Sequence, residues 1–290
     1  MRPEPGLAAE CVLSPPAGDA RPSVAEVLSA FDGLRQAGWR VTEIASQCAP
    51  SGGRLPIQAY ATGGDPEAIL IAGIHGREPA GVLALARYAP RLVELGSSRG
   101  LLVMPLLNPW GYLHHTRYGP SGRSVTDSDH VLGRSTAAAC LEAAAITGFV
   151  MRVLQACRGG AVLDLHEDPV YEAPDYQFDG SGSYLYVTGR GARDHPVTHR
   201  VLRCLERSRL PLVRQGVTRF GERLEEGIVL DSADGSIDEL LARNLACSPV
   251  LTVENLLSAP DAPALATRVD VYVEVLDAFF GLDSPAGGAS

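Results

Sequence analysis

The sequence predicts an α/β fold: a mostly parallel, mixed central sheet with helices on both faces. Short apolar runs, including Ile69–Ile74, Leu101–Leu107 and Ala161–Leu165, are typical of strands buried on both faces, as in parallel sheets. Segments with helical periodicity alternate with these runs along the chain. Because no repeat or linker is visible, we expect one domain over residues 22–284, with a flexible N-terminal segment, 1–21, and a tail, 285–290.

Each predicted element is supported by a local signal. Ser23 can cap a first helix that runs to about Gln36, and Pro79 suits the first turn of a helix that runs to about Leu95. Ser135 can cap an Ala-rich helix that runs to about Cys157. The other predicted strands are 41–44, 55–61, 184–187, 228–231 and 249–254, and the other predicted helices are 192–208, 236–245 and 262–281.

Composition and charge exclude several classes of partner. The 290 residues are 46% hydrophobic and 20% charged, which is typical of a globular protein. The net charge is −9 and no basic cluster is present, so we expect no binding to nucleic acid or to acidic membranes. No apolar run approaches the roughly 20 residues that span a bilayer. The N-terminus also lacks an apolar signal core, so we expect a cytoplasmic protein; its oligomeric state stays open.

The first candidate site residues follow the strand Ile69–Ile74. His75 comes directly after this strand, and Glu78 lies three residues further on, just before the helix that begins at Pro79. In open α/β sheets, ligands bind at the carboxyl ends of strands, and both side chains lie at such an end. One imidazole and one carboxylate on a short loop can bind the same Zn²⁺. The sequence therefore predicts a zinc site here, and a solvated loop is the alternative.

A third metal ligand is expected at the end of a second buried strand. His166 directly follows the run Ala161–Leu165, so it lies at the same kind of sheet edge. Asp164 is two residues earlier and projects from the same face of the strand. A carboxylate beside a ligating imidazole can accept its other N–H and fix the ring. Asp164 could orient either predicted histidine ligand, or neither.

Four short motifs together resemble the zinc carboxypeptidase superfamily, which includes carboxypeptidase A-like enzymes and the succinylglutamate desuccinylase/aspartoacylase branch. They occur in that family's order over residues 69–255: Gly73-Ile-His-Gly-Arg-Glu78, Asn108-Pro109, Asp164-Leu-His166 and Thr252-Val-Glu254. The resemblance implies that His75, Glu78 and His166 hold one Zn²⁺ per chain. The spacing between the last two, 166 − 78 = 88, is closer to that of the desuccinylase branch.

Glu254 is the predicted general base and acid. It ends an apolar strand, where an unpaired carboxylate would be costly to bury. In the expected reaction, Glu254 takes a proton from zinc-bound water and passes it to the leaving amine. A solvent-facing glutamate at the strand end is the alternative.

The resemblance also implies an arginine that stabilises the oxyanion. Arg117 stands at the offset from Asn108 that the aspartoacylase branch uses, whereas Arg123 suits the carboxypeptidase A-like pattern. A fixed guanidinium stabilises developing negative charge at either place. We predict that Arg117 is the catalytic residue and that Arg123 binds substrate. The reverse assignment of these two roles stays open. Asn108 is a further candidate for substrate binding, and a turn residue before Pro109 is the alternative.

Two departures from the family pattern concern the substrate. The family usually shows Asp-x-Asn-Arg, whose last two residues hold the substrate carboxylate, but this chain has Asp127-Ser-Asp129-His130. Asp129 would repel a carboxylate, and His130 would be a weaker anchor. Gly235-Ser-Ile-Asp238 resembles the specificity-pocket segment of carboxypeptidase A-like enzymes, but the tyrosine expected shortly before it is absent, and Leu230 and Asp231 stand there. Ile237 would form the floor of that pocket, which favours an apolar side chain.

The sequence therefore predicts a zinc-dependent hydrolase of amide bonds. It would release a terminal amino acid from a peptide or deacylate an N-acyl amino acid, and Asp129 with His130 indicates a substrate end that is not a plain carboxylate. Two alternatives stay open. One is a non-catalytic, zinc-containing protein that binds a small ligand, and the other is an esterase that uses the same site.

Overall fold

The computed structural model describes residues 21–123, 140–154, 160–169, 181–218, 220–230, 235–257 and 262–282. Residues 1–20, the helix start at Ser135 and the tail 285–290 lie outside the described residues. The helices are α1 Val24–Ser29, α2 Asp32–Gln36, α3 Pro79–Gly96, α4 Pro109–His114, α5 Leu141–Leu154, α6 Pro196–Leu205, α7 Ile237–Glu239, which a π-helical turn Leu240–Asn244 continues, and α8 Leu265–Phe280. The strands are β1 Arg40–Cys48, β2 Arg54–Ala61, β3 Ala68–Ala72, β4 Leu101–Met104, β5 Ala161–Pro169, β6 Gly182–Thr188, β7 Gln215–Val217, β8 Arg223–Glu225, β9 Ile228–Leu230 and β10 Val250–Leu257.

Within these residues, the strands form one mixed sheet in the order β1-β2-β4-β3-β5-β10-β6-β9-β8-β7. The four central strands, β4, β3, β5 and β10, run parallel to one another. Antiparallel pairs flank this centre on both sides, and β6 with β9 adds one more parallel pair. The predicted mixed α/β sheet is therefore confirmed, with its parallel strands concentrated where the predicted site residues lie.

Helices cover both faces of the sheet. On one face, α1, α2, α3, α6 and α8 bury alternate strand residues such as Leu70, Leu163 and Val253. On the other face, α5 and α7 cover the intervening residues, including Ile71 and Val162. This alternation follows from the two-residue period of a strand. Among the helices that the structure describes, none is both long and apolar enough to cross a bilayer.

Several predicted elements differ from those observed, among them the first helix and the strand before His166. The helix predicted from Ser23 to Gln36 is two short helices, because Phe31 leaves helical geometry and packs its ring 5.3 Å from that of Tyr60. The strand predicted to stop at Leu165 continues to Pro169, because the backbone of β10 pairs with its polar end as well as with its apolar part. The second difference places His166 inside the strand rather than at its end.

The loop between β3 and α3 is held by close backbone packing. Gly73 has φ +70°, a left-handed conformation that favours glycine, and its carbonyl accepts the N–H of Asn108 at 2.8 Å. Gly76 touches the backbone of α4 so closely that a Cβ would lie 1.8 Å from the carbonyl carbon of Gly111. The loop that carries His75 and Glu78 is therefore fixed against α4.

We expect Gly76→Ala to lower the free energy of unfolding by about 2 kcal/mol or more, because overpacking against a rigid backbone forces the two segments apart. Urea unfolding of the purified protein measures this change. Gly33→Ala is the matched control: Gly33 lies in α2 with no atom within 4 Å of the new methyl group, so the change should be neutral or stabilising by up to about 1 kcal/mol. Equal stability of Gly76→Ala and the unchanged protein would contradict the packing argument.

Candidate metal centre

The structure brings the three predicted metal ligands together. His75 Nδ1 lies 2.8 Å from Glu78 Oε1, and His166 Nδ1 lies 3.2 Å from Glu78 Oε2. The two Nδ1 atoms are 3.2 Å apart, although the histidines are separated by 91 residues in the sequence. All three side chains are buried, and one ligand atom from each lies within 4.8 Å of the others. In the described part of the chain, this is a group that could hold a metal ion.

The donor set and its spacing fit zinc. Two imidazole nitrogens and one carboxylate are a common set of protein ligands for catalytic zinc, which keeps a further position open. Ligands at about 2.1 Å from a tetrahedral ion lie about 3.4 Å apart, close to the spacing of the two ring nitrogens. Both of these nitrogens also face the carboxylate of Glu78. Such convergence of three atoms is what one small cation requires.

Asp164 pairs with His166. Its Oδ2 lies 3.3 Å from His166 Nε2, the ring nitrogen that points away from the other two ligands. Asp164 is fully buried, since β5 places it two residues before His166 on the same face. A carboxylate in this place holds the imidazole ring and favours the tautomer whose Nδ1 is free to bind metal.

The electrostatics of the centre favour a cation. Burial would raise the pKa of the Glu78 carboxyl, but the charges and hydrogen bonds of His75 and His166 outweigh it and lower that pKa well below its usual value. Burial would lower the pKa of His166, but the carboxylates of Asp164, Glu78 and Glu254 raise it well above its usual value. A bound metal ion would take the place of the proton on His166.

Glu254 lies beside His166 in the sheet. The two residues are register partners in the parallel pair β5–β10, so their side chains project from the same face. On the other side of Glu254, β6 supplies Tyr184, whose hydroxyl donates to Asp168 Oδ2 at 3.0 Å. Burial and the charges of Asp168 and Glu254 raise the pKa of Tyr184 well above its usual value, so this hydroxyl stays protonated. A protonated donor and a carboxylate thus stand next to the predicted metal ligand.

Of the two candidate arginines, Arg117 is the one beside the metal ligands. Its Nη1 lies 3.6 Å from Glu78 Oε1, whereas Arg123 is exposed. Asn108 explains the position of Arg117: its Nδ2 donates to the Arg117 carbonyl at 3.2 Å, and its Oδ1 accepts the N–H of Gly111 at 2.9 Å. Asn108 is fully buried and caps α4, so the structure supports a positioning role for it rather than contact with substrate.

Of the other predicted substrate contacts, Ile237 lies within the described residues. Asp129 and His130 lie outside the described residues. Ile237 is 1% exposed and packs in the apolar layer between the sheet and α5. Next to it, Asp238 accepts a hydrogen bond of 2.6 Å from Thr252, which ties α7 to the strand of Glu254. The role of Ile237 as a pocket floor stays a prediction.

Sequence reasoning missed three residues that contact the site from the opposite face of the sheet: Glu167, Arg268 and Tyr272. Glu167 is 2% exposed, and its backbone N–H donates to Glu78 Oε2 at 3.1 Å. Arg268 and Tyr272 lie on the buried face of α8, next to apolar residues such as Val275. A charged residue within an apolar helical stripe was the available signal.

Comparisons with known proteins identify the fold. No family model matches the chain, and no curated protein matches it. Among solved structures, a candidate metallopeptidase from Shewanella amazonensis SB2B is similar, with TM-score 0.72 and 19% identity over 88% of this chain and 91% of that chain. One from Shewanella denitrificans OS217 gives TM-score 0.70 and 18% identity over 89% and 87%, respectively. A metallo-carboxypeptidase from Burkholderia cenocepacia gives TM-score 0.56 and 13% identity over 87% and 67%.

These likenesses show that the chain has the α/β fold of these metallopeptidase structures. The mixed α/β fold predicted from the sequence is therefore also the fold of these solved structures. At such identities the likeness concerns the fold alone, and the chemistry depends on the side chains of this chain.

We expect the protein to bind one Zn²⁺ per chain and to unfold at a higher temperature with zinc than after chelation, because a ligand of the folded state stabilises it by about 2.7 kcal/mol at 100 times its Kd. His75→Ala and Glu78→Gln should each weaken zinc binding more than about 100-fold, since loss of an outer partner alone costs about 10- to 100-fold. Titration of the chelated protein with zinc measures the affinity. His199→Ala, an exposed change on α6, is the control and should bind like the unchanged protein.

Proposed function

We propose that this protein is a zinc-dependent hydrolase that cleaves an amide bond in a small peptide or an N-acyl amino acid. One observation carries the proposal: two imidazoles and one carboxylate converge at the carboxyl end of a parallel sheet, directly beside the carboxylate of Glu254. A structural zinc site is closed by four protein ligands, whereas three ligands leave a position for chemistry.

Three residues of the centre would bind the metal, and a fourth would position one of these ligands. His75, Glu78 and His166 would bind it, and Asp164 would keep the ring of His166 in place. Bound zinc supplies Lewis acidity, which polarises a carbonyl and lowers the pKa of water to about 7. The remaining chemistry falls to Arg117 and Glu254.

Arg117 is suited to stabilise the negative charge that develops on the scissile carbonyl oxygen. Its guanidinium is always protonated and offers several N–H donors in a fixed plane. Its side chain is only 10% exposed, so its charge acts in a poorly solvated place, where an oriented cation is most effective. The hydrogen bond from Asn108 to the Arg117 carbonyl holds the main chain from which this side chain reaches Glu78.

Glu254 is suited to move the proton. As the attacking water forms a bond to the carbonyl carbon, its proton passes to the Glu254 carboxylate. As the C–N bond breaks, the same proton passes to the leaving nitrogen, which departs as an amine. One carboxylate thus serves both steps, and its position beside His166 places it next to the metal ligands.

The chemical nature of the substrate's terminal group is inferred from residues other than the metal ligands, Arg117 and Glu254. The pair Asp129-His130 stands where related sequences carry a carboxylate-binding Asn-Arg pair, so we infer a substrate whose end bears an amine or is neutral. Ile237 favours an apolar side chain at the position it would line. Small, partly apolar amides without a plain terminal carboxylate are therefore the favoured substrates.

A substrate panel tests the proposed function. Zinc-loaded protein is incubated with short peptides that carry free or amidated C-termini, with N-acyl amino acids and with the matching esters, and released products are identified by mass spectrometry. Amide hydrolysis that chelation abolishes and zinc restores supports the proposal. Zinc binding without turnover of any compound would instead favour a ligand-binding protein, and hydrolysis confined to esters would favour an esterase.

We expect Glu254→Gln to keep zinc but to lower kcat by about 10²- to 10⁴-fold, because the amide has the shape of the carboxylate and cannot carry the proton. Zinc titration and steady-state kinetics on the best panel substrate measure the two effects. Glu226→Gln, at an exposed position, is the control. Full activity of Glu254→Gln would exclude the role in proton transfer.

We expect Arg117→Met to lower kcat by about 10²- to 10³-fold, the usual cost of removing one oxyanion donor. Arg123→Met is the matched control, since this rival arginine is exposed and should change kcat little. The two variants are compared on the same substrate. A large loss of kcat in Arg123→Met with normal turnover in Arg117→Met would reverse the assignment.

A further inference from the structure

The helix α8 places two polar side chains one turn apart on its buried face. Arg268 is 2% exposed and Tyr272 is fully buried. Their neighbours on this face, such as Val269 and Val275, are apolar. Because burying a charged side chain is costly unless it is paired, the contacts of Arg268 need an explanation.

Contacts from Arg268 lead to a metal ligand. Its Nη1 donates to Glu167 Oε1 at 2.5 Å. The other carboxylate oxygen of Glu167 accepts the N–H of Ala80 at 2.9 Å, in the first turn of α3 and two residues after Glu78. The backbone N–H of Glu167 donates to Glu78 Oε2 at 3.1 Å. Glu167 thus contacts both the carboxylate of Glu78 and the backbone just beyond it, and Arg268 holds Glu167.

Contacts from Tyr272 lead to the other side of the site. Its hydroxyl donates a short hydrogen bond to the backbone carbonyl of His166. The same oxygen accepts the backbone N–H of Asn255 at 3.2 Å, next to Glu254 in the chain. One hydroxyl therefore joins the strand of the metal ligand His166 to the strand of Glu254.

We propose that Arg268 and Tyr272 are positioning residues, which set the geometry of the metal centre from the opposite face of the sheet. This inference rests on the proposed zinc site. Successive side chains of a strand point to opposite faces of the sheet. His166 and Glu254 therefore project toward the site, while the next residues, Glu167 and Asn255, project toward α8. The helix thereby holds the backbone of both strands without occupying the site.

If Arg268 and Glu167 served only to stabilise the fold, they would not need to be charged. Replacing a buried ion pair by well-packed apolar side chains is often neutral or stabilising. The double variant Glu167→Gln/Arg268→Met removes both charges of this ion pair and keeps an oxygen that can accept the Ala80 N–H. It should therefore keep the stability of the zinc-free protein while losing metal affinity. Arg268→Met alone leaves the buried carboxylate of Glu167 without this partner, which lowers the stability of that variant.

The test compares Arg268→Met, the double variant and Tyr272→Phe with two matched controls. Arg87→Met and Tyr88→Phe remove the same groups from α3, where Arg87 donates to Asp270 at 2.6 Å and Tyr88 donates to Asp277 at 2.7 Å, both on α8. Tyr88 is buried like Tyr272, whereas Arg87 is exposed and controls for loss of the ion pair alone. Two quantities are measured: the zinc affinity, by competition with a chelating dye, and the unfolding temperature of the zinc-free protein.

We expect Arg268→Met and the double variant to bind zinc about 10- to 100-fold more weakly, and Tyr272→Phe about 10-fold more weakly, as for other partners of metal ligands. Both controls should bind zinc normally. Arg268→Lys, which keeps the charge, should recover part of the affinity.

The outcomes separate this inference from the proposed function. If the unchanged protein binds no zinc, the proposed function fails and the inference fails with it. If the unchanged protein binds zinc and the double variant and Tyr272→Phe bind it equally well, only the inference is overturned. Losses of zinc affinity that the controls share, in proportion to a lower unfolding temperature, would also overturn it, because they would reflect stability alone.

Discussion

The carboxylate of Glu78 is buried between two imidazole rings, and the surrounding contacts make that burial tolerable. An ionised carboxylate away from water is costly unless charges and donors compensate it. His75 compensates from the same loop, His166 compensates from a strand 91 residues away, and Glu167 adds a backbone N–H. The parallel strands β3 and β5 make this meeting feasible, because their carboxyl ends lie at the same edge.

Along β5 and β10, residues that face the site alternate with residues that face the supporting helix α8. Asp164, His166 and Glu254 project toward the site, and the intervening residues project toward α8. The register of this one strand pair therefore decides two things at once: which carboxylate lies beside the metal ligand, and which backbone groups α8 can hold. A slip of one residue would exchange the two faces and destroy both arrangements.

Much of this arrangement could be predicted from local signals. The run Ile69–Ile74 with the following His-x-x-Glu segment predicted the buried strand and two members of the group that could hold a metal ion, because both the apolar run and the polar end are continuous in sequence. What could not be predicted depends on contacts between distant segments. The choice between Arg117 and Arg123 required the fold of the chain after Asn108, and the partner of Asp164 required the ring orientation of His166. The support from α8 was hidden because Glu167 and His166, which Arg268 and Tyr272 contact, lie more than a hundred residues away in sequence.

The placement of polar residues along α8 argues that geometry, rather than stability, explains them. Toward its C-terminal end the same helix packs with Val275, Leu276 and Phe279, which are apolar and need no partners. Polar side chains occur on the buried face where α8 crosses the ends of β5 and β10. If the helix served packing alone, apolar residues would suit that stretch equally well. A fold can accept such local departures from an apolar core where a site has to be held in one arrangement, and in this chain the departure coincides with the candidate metal centre.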